Sequence, residues 1–213
     1  MIISYHGIEF VKVQFGNTVL AFNPVSKQSK HKLARFGADI ACVGLNHDDM
    51  NGVESVTLGD KKPFVIGGPG EYEIGGVTVA GLPTLSRYGS QERINTVYSV
   101  MMEGMSLCFL GAHEPKDLPK EVMENLDNID ILFVPVGGEG VLTPQDAYRL
   151  AVSIEPRLII PIHYGEVGIS KALSVFLKEA GEESVKAIDK LTIKKKDLEG
   201  KEGDIVVLDN PLG

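Results

Sequence analysis

Apolar positions change rhythm near the middle of this chain. Through the first half they come in short runs broken by turn residues, the pattern of strands. "IEFVKVQF" and "TVLAF" flank Gly16 and Asn17, which predicts a hairpin. "PFVIGG", "EYEI" and "VTVAGL" predict further strands, the last two joined through Gly75 and Gly76. "TVYSVMM" and "MSLCFL" predict another hairpin across Glu103 and Gly104. "ADIACVGL" reads as a buried strand that runs straight into the polar text "LNHDDMNGVE", and "SKQSKHKLARFG" predicts a loop or short helix.

The second half alternates helices with continuous apolar strands. "LPKEVMENLDN" predicts a helix with an acidic surface. "IDILFVPV" and "RLIIPIH" are apolar at successive positions, as expected for strands covered on both faces. In "TPQDAYRLAVSIEP", Thr143 can cap the helix, Pro144 suits its first turn, and Asp146 faces the positive end of the helix dipole. "SKALSVFLKEAG" predicts an amphipathic helix stopping at Gly181, and "KLTIKK" and "DIVVLD" predict two closing strands. The triplet Lys194, Lys195 and Lys196 reads as a solvated strand end. Hairpins followed by βαβα units predict an α/β protein with two packed sheets and helices outside. That is a four-layer αββα sandwich in one domain over residues 1–213.

Composition narrows the function classes. With 29 acidic against 21 basic side chains the net charge is -8, which repels phosphate backbones, so no nucleic-acid partner is expected. No apolar run is long enough for a membrane helix, and "MIISYHGIEF" lacks the features of a secretion leader. Cys42 and Cys108 lie inside β-like runs and read as buried hydrophobes, with no CxxC spacing for zinc. A soluble, cytoplasmic protein is the expectation.

The candidate chemistry sits where buried strands run out. His47 and Asp49 are two residues apart, which in an extended segment puts them on one side. His163, at the end of "RLIIPIH", could add a third ligand. A two-histidine, one-carboxylate set suits zinc, manganese or iron(II) and leaves positions for water. The other reading of the same residues is structural: Asp49 caps a turn, His47 bonds backbone, and His163 packs beside Tyr164. Spacing alone favours it, because HxD is short and unspecific. His113 reads equally as a site wall or an exposed turn, His6 points either way, and His31 reads as surface. "GGPGEYEIGG" has no Walker lysine and no following helix, so its glycines serve turns. No serine sits in GxSxG.

Taken together, several stretches resemble the metallo-β-lactamase-fold proteins, in the branch of Zn-dependent hydrolases that includes ascorbate-6-phosphate lactonase-like proteins. The likeness covers roughly residues 1–165. It rests on "SYHGIEFVKV", "ADIACVGLNHDDMNGVESV", "FVIGGPGEYEIGGVTVAGLPT", "NTVYSV", "LCFLGAHE", "DILFVPVGGEG", "TPQDA" and "EPRLIIPIHYG". The resemblance implies the αββα fold, with an active site at one edge between the sheets. It also exposes a departure. The family motif HxHxDH falls on Leu45, His47, Asp49 and Met50, so two of its four ligands are apolar here. The next ligand histidine falls on Ser86 and the bridging aspartate on Ala112. Only the last histidine is matched, by His163. Near the N-terminus "YGH" reads "YHG", and "DP" reads Asn23-Pro24.

That pattern implies a degenerate metal site. The expected protein lacks the dinuclear zinc centre, carries no cofactor, and binds a small molecule without catalysis or with altered chemistry. The alternative is a hydrolase of an ester, lactone or phosphoester that uses one divalent ion (zinc, manganese or iron) held by His47, Asp49 and His163. In that alternative Asp49 is the catalytic residue. Whether the chain is an enzyme stays open at this point, as does homo-oligomerisation through a sheet edge or the cleft.

Overall fold

The computed structural model describes residues 1–210. The chain starts with β1 (Ile2–Tyr5), β2 (Val11–Phe15), β3 (Thr18–Phe22), β4 (Ile40–Cys42) and β5 (Phe64–Ile66). It continues through β6 (Gly70–Ile74), β7 (Val77–Ser86), β8 (Arg93–Met102), β9 (Met105–Phe109), β10 (Ile131–Pro135) and β11 (Leu158–Ile162). Three helices interrupt or follow the later strands: α1 (Lys120–Met123), α2 (Pro144–Ile154) and α3 (Ala172–Glu179). Two short strands close it, β12 (Leu191–Thr192) and β13 (Asp204–Ile205). One sheet has the order β12-β1-β2-β3-β4-β5, the other β13-β11-β10-β9-β8-β7-β6. This is the expected αββα sandwich of mixed sheets.

The expected hairpins form where two turn residues separate apolar runs. Phe15 pairs with Thr18 around Gly16 and Asn17, Ile74 with Val77, and Met102 with Met105. Thr143 caps α2, its hydroxyl accepting from the Asp146 backbone N–H at 3.2 Å. Between the sheets, Phe22 stacks on Phe109 with centroids 4.5 Å apart, and Phe133 lies across the pair. Each fully buried ring of this kind contributes roughly 2 kcal/mol by leaving water. On the outer face of the second sheet, Leu132, Val134 and Ile159 pack against Leu150, Ile154 and Phe176 of the helices.

Some expectations are corrected. "LPKEVMENLDN" forms only the single turn of α1, because Pro119 offers no capping side chain and Asn128 (φ 52°) turns the chain away. The basic stretch after β3 is loop throughout, and with a one-turn helix at Val53–Ser55 it makes a thin outer cover for the first sheet. The lysine triplet is more than a solvated strand end. Lys195 opens a one-turn helix, and its Nζ lies 2.5 Å from the buried carboxylate of Asp130. No helix among the described residues is long and apolar enough to cross a membrane.

Candidate functional site

Four strand ends meet at one edge of the sandwich. The loop after β4 carries Leu45, His47, Asp49 and Met50, the end of β7 carries Ser86 and Tyr88, the segment after β9 carries Ala112, and His163 follows β11. Carboxyl ends of strands are where an open layered sheet presents residues to ligands.

The loop after β4 is not extended. Met50 N–H donates to the His47 carbonyl at 2.8 Å, which makes residues 47–50 a turn. Gly52 lets this loop touch the chain beside it, since a Cβ there would lie 2.2 Å from the backbone of Val25 and Ser26. The turn still sets His47 beside Asp49, with Nδ1 3.5 Å from Oδ2. The Asp49 backbone N–H donates to His47 Nδ1 at 3.2 Å, so that nitrogen acts as acceptor and the ring proton belongs on Nε2.

Asp49 is buried and accepts twice more. Ser29 Oγ donates to Oδ1, and Tyr88 Oη donates to Oδ2 at 2.7 Å. Burial works against its ionisation. The hydrogen bonds from Ser29 and Tyr88, with His47 and His31 nearby, outweigh that and hold its carboxyl below the usual range. The same contact works the other way on Tyr88: burial first, then Asp49, push its hydroxyl far above the ordinary tyrosine value, so it stays a donor.

Tyr88 is the residue that the sequence did not announce. Its ring lies edge-on to His47 (centroids 4.9 Å, 74°) and to His163 (5.1 Å, 86°). It therefore stands between the two histidines. Its backbone fits against Gly140, where a Cβ would come within 2.7 Å of Tyr88 Cα. Ser86, fully buried, accepts from the Tyr88 backbone N–H and donates to the Gly140 carbonyl at 3.2 Å.

His163 is held from the other sheet. Its backbone N–H donates to the Ile8 carbonyl at 2.6 Å, with the Tyr5 hydroxyl at 3.2 Å, and its φ is 60°. Its Nδ1 lies 2.8 Å from Glu9 Oε1, and both side chains are fully buried. Glu9 Oε2 accepts from Asn23 Nδ2 at 2.7 Å, and Asn23 Oδ1 accepts from the Gly44 N–H at 2.6 Å. Glu9 thus engages both oxygens, Oε1 toward His163 Nδ1 and Oε2 toward Asn23. The Nε2 of His163 is buried and has no hydrogen-bond partner. Tyr164, which a structural reading paired with His163, packs its ring at a tilt against Tyr5.

Leu45, Met50 and Ala112 are all buried, packed in one cluster with Val25, Val56 and Val141, and Tyr88 rests against it. Among the described residues no three His, Cys, Asp or Glu side chains are grouped so as to hold a metal ion. His47 and Asp49 are neighbours. His163 stands across the Tyr88 ring from His47 and is tied to Glu9.

The remaining histidines are also placed. His113 is neither an exposed turn nor beside the other candidates. It is fully buried against Leu85, Pro115 and Leu118, and burial lowers its pKa to about 4 against the opposing pull of the Pro115 and Asp117 backbone. His6 packs against the stacked rings of Phe10 and Phe36, and burial lowers it to about 4 as well. His31 is not a surface residue, being 10% exposed with Nδ1 3.4 Å from Glu166. Glu9 and Ser29 complete the site and were not singled out by the sequence, whereas Asn23 was marked there as a departure from "DP". A lone acid within the apolar text "GIEFVKV" was the available signal for Glu9.

Residues 2–163 match the beta-lactamase superfamily domain, so the chain belongs to the beta-lactamase superfamily. Within it, the chain is 25% identical over 198 residues to the UPF0173 metal-dependent hydrolase of Bacillus thuringiensis (strain Al Hakam), covering 77% of this chain and 86% of that protein. A protein of the same name from Lysinibacillus sphaericus (strain C3-41) is 26% identical over 199 residues, covering 77% and 85%. Among solved structures, a protein from Thermotoga maritima assigned to the Zn-dependent hydrolases of the metallo-β-lactamase superfamily superposes with a TM-score of 0.78. It is 25% identical and covers 97% of each chain.

Proposed function

We propose that this protein is a member of the metallo-β-lactamase fold that works without a dinuclear metal centre and binds a small molecule in the remodelled cleft. The observation that carries this reading is the Tyr88 side chain, which stands between His47 and His163 and donates its hydroxyl to Asp49. The donor set does not fit two ions. Leu45, Met50 and Ala112 are core side chains, and Ser86 spends its hydroxyl on backbone. Placing a divalent charge beside them would cost desolvation that no nearby carboxylate pair offsets. Elemental analysis after purification without added metal tests the reading: no stoichiometric transition metal is expected, and one or more bound ions per chain would overturn it.

One observation favours a second reading. The bare Nε2 of His163, oriented by Glu9, has the carboxylate–histidine arrangement common among metal ligands. With His47 and Asp49 it would hold a single divalent ion, as the names of the relatives suggest, in a hydrolase of an ester, lactone or phosphoester. That reading requires His163→Ala to abolish both metal content and turnover. It fails where chelation leaves the protein and its activity unchanged.

A further inference from the structure

At the cleft, Asp49 Oδ2 accepts from the Tyr88 hydroxyl, and the buried Nε2 of His163 has no hydrogen-bond partner. A buried ring nitrogen without a partner costs free energy, so a ligand group that pairs with it is favoured. The neighbouring arginines do not serve the cleft. Arg87 pairs with Glu92 and Glu114, and Arg93 donates to Gln91 and to the Tyr88 carbonyl. An anion taking the place of the Tyr88 hydroxyl would meet the Asp49 carboxylate directly, and the lysine that lines the same pocket, Lys30, is exposed.

The shape adds a second constraint. The space between His47 and His163 holds one aromatic ring, edge-on to both imidazoles, over an apolar floor that includes Leu45 and Met50. We propose that the cleft takes a small, planar, uncharged ligand bearing a phenol-type hydroxyl. Tyr88 is its internal stand-in and swings out to admit it. The ligand hydroxyl donates to Asp49 as Tyr88 does now, and a second polar group on a larger ligand pairs with His163 Nε2. Tyr88 can yield at its side chain while its backbone stays against Gly140. It is partly exposed and opens a one-turn helix whose Gly89 and Ser90 both have positive φ, at 73° and 64°.

This ligand class rests on the metal-free reading above, and the two can fail separately. Calorimetry on Tyr88→Ala with phenol, anisole and benzoate should give phenol roughly tenfold tighter than anisole and no detectable benzoate binding. Adding Asp49→Ala should remove the preference for phenol. In the unaltered protein with ring-labelled tyrosine, phenol should shift the Tyr88 resonance and anisole should not, a readout that survives if the variant folds poorly. Anisole binding as well as phenol, benzoate binding best, or an unmoved Tyr88 signal at saturating phenol would each overturn the ligand class. Metal measured on the same samples separates the cases: a bound ion sinks the metal-free reading, whereas equal phenol and anisole binding in metal-free protein sinks only this inference.

Discussion

The two sides of the cleft have been treated differently. On one side, Leu45, Met50, Ala112 and Val141 pack as ordinary core with no polar atom to satisfy. On the other, Glu9, Asn23 and His163 form a fully buried polar chain that still leaves one ring nitrogen bare. Plain core has no use for such a nitrogen, since burying it costs free energy. The difference separates a side that is packing alone from a side that keeps an unpaired polar atom, with Tyr88 along the seam.

The comparison breaks most sharply at Glu9. Glu9→Leu removes one partner of a buried pair and strands both His163 Nδ1 and Asn23 Nδ2, so a loss of about 4 kcal/mol is expected in urea unfolding. Glu9→Leu with His163→Leu should recover much of that, because replacing a whole buried pair with apolar side chains is often neutral. On the apolar side, Met50→Ala should cost about 3 kcal/mol in urea unfolding by opening a cavity in packed core.

Acid tests the same divide from behind Ala112. The folded state holds His113 near pKa 4, below its ordinary 6.5, so the unfolded chain takes up more protons between those values and stability falls as pH drops through them. From pH 7 to pH 5 about 2 kcal/mol should be lost through this residue, and His113→Leu should flatten that slope. Asp49 acts with the same sign at lower pH. Its lowered carboxyl contributes stability that is present above the ordinary aspartate range and lost as pH falls through its folded value. The smallest change is Tyr88→Phe, which removes one hydroxyl from Asp49 while Ser29 still donates to it. A cost of about 1 kcal/mol in thermal unfolding is expected.

The fold was legible because its signals are local. Gly16-Asn17, Gly75-Gly76 and Thr143 act on residues within a few positions, and the apolar strands carry their own burial pattern. Resemblance then marked Leu45, Met50, Ser86 and Ala112 as the altered positions. What stayed hidden was made by distant pairs. Glu9 meets His163 across 154 positions and Tyr88 meets Asp49 across 39, and neither contact leaves a periodicity or spacing in the text. The same holds for His31 and Glu166, which turned an apparent surface histidine into a nearly buried one.

His163 has one further consequence. Its backbone N–H, in a left-handed conformation, binds the loop after β1, so the residue that ends β11 of one sheet is fastened to the other. It is a rivet between the sheets as well as a carrier of an imidazole. Its position is fixed by that joint whatever its imidazole does. A histidine at this strand end can therefore record how the sandwich is fastened together.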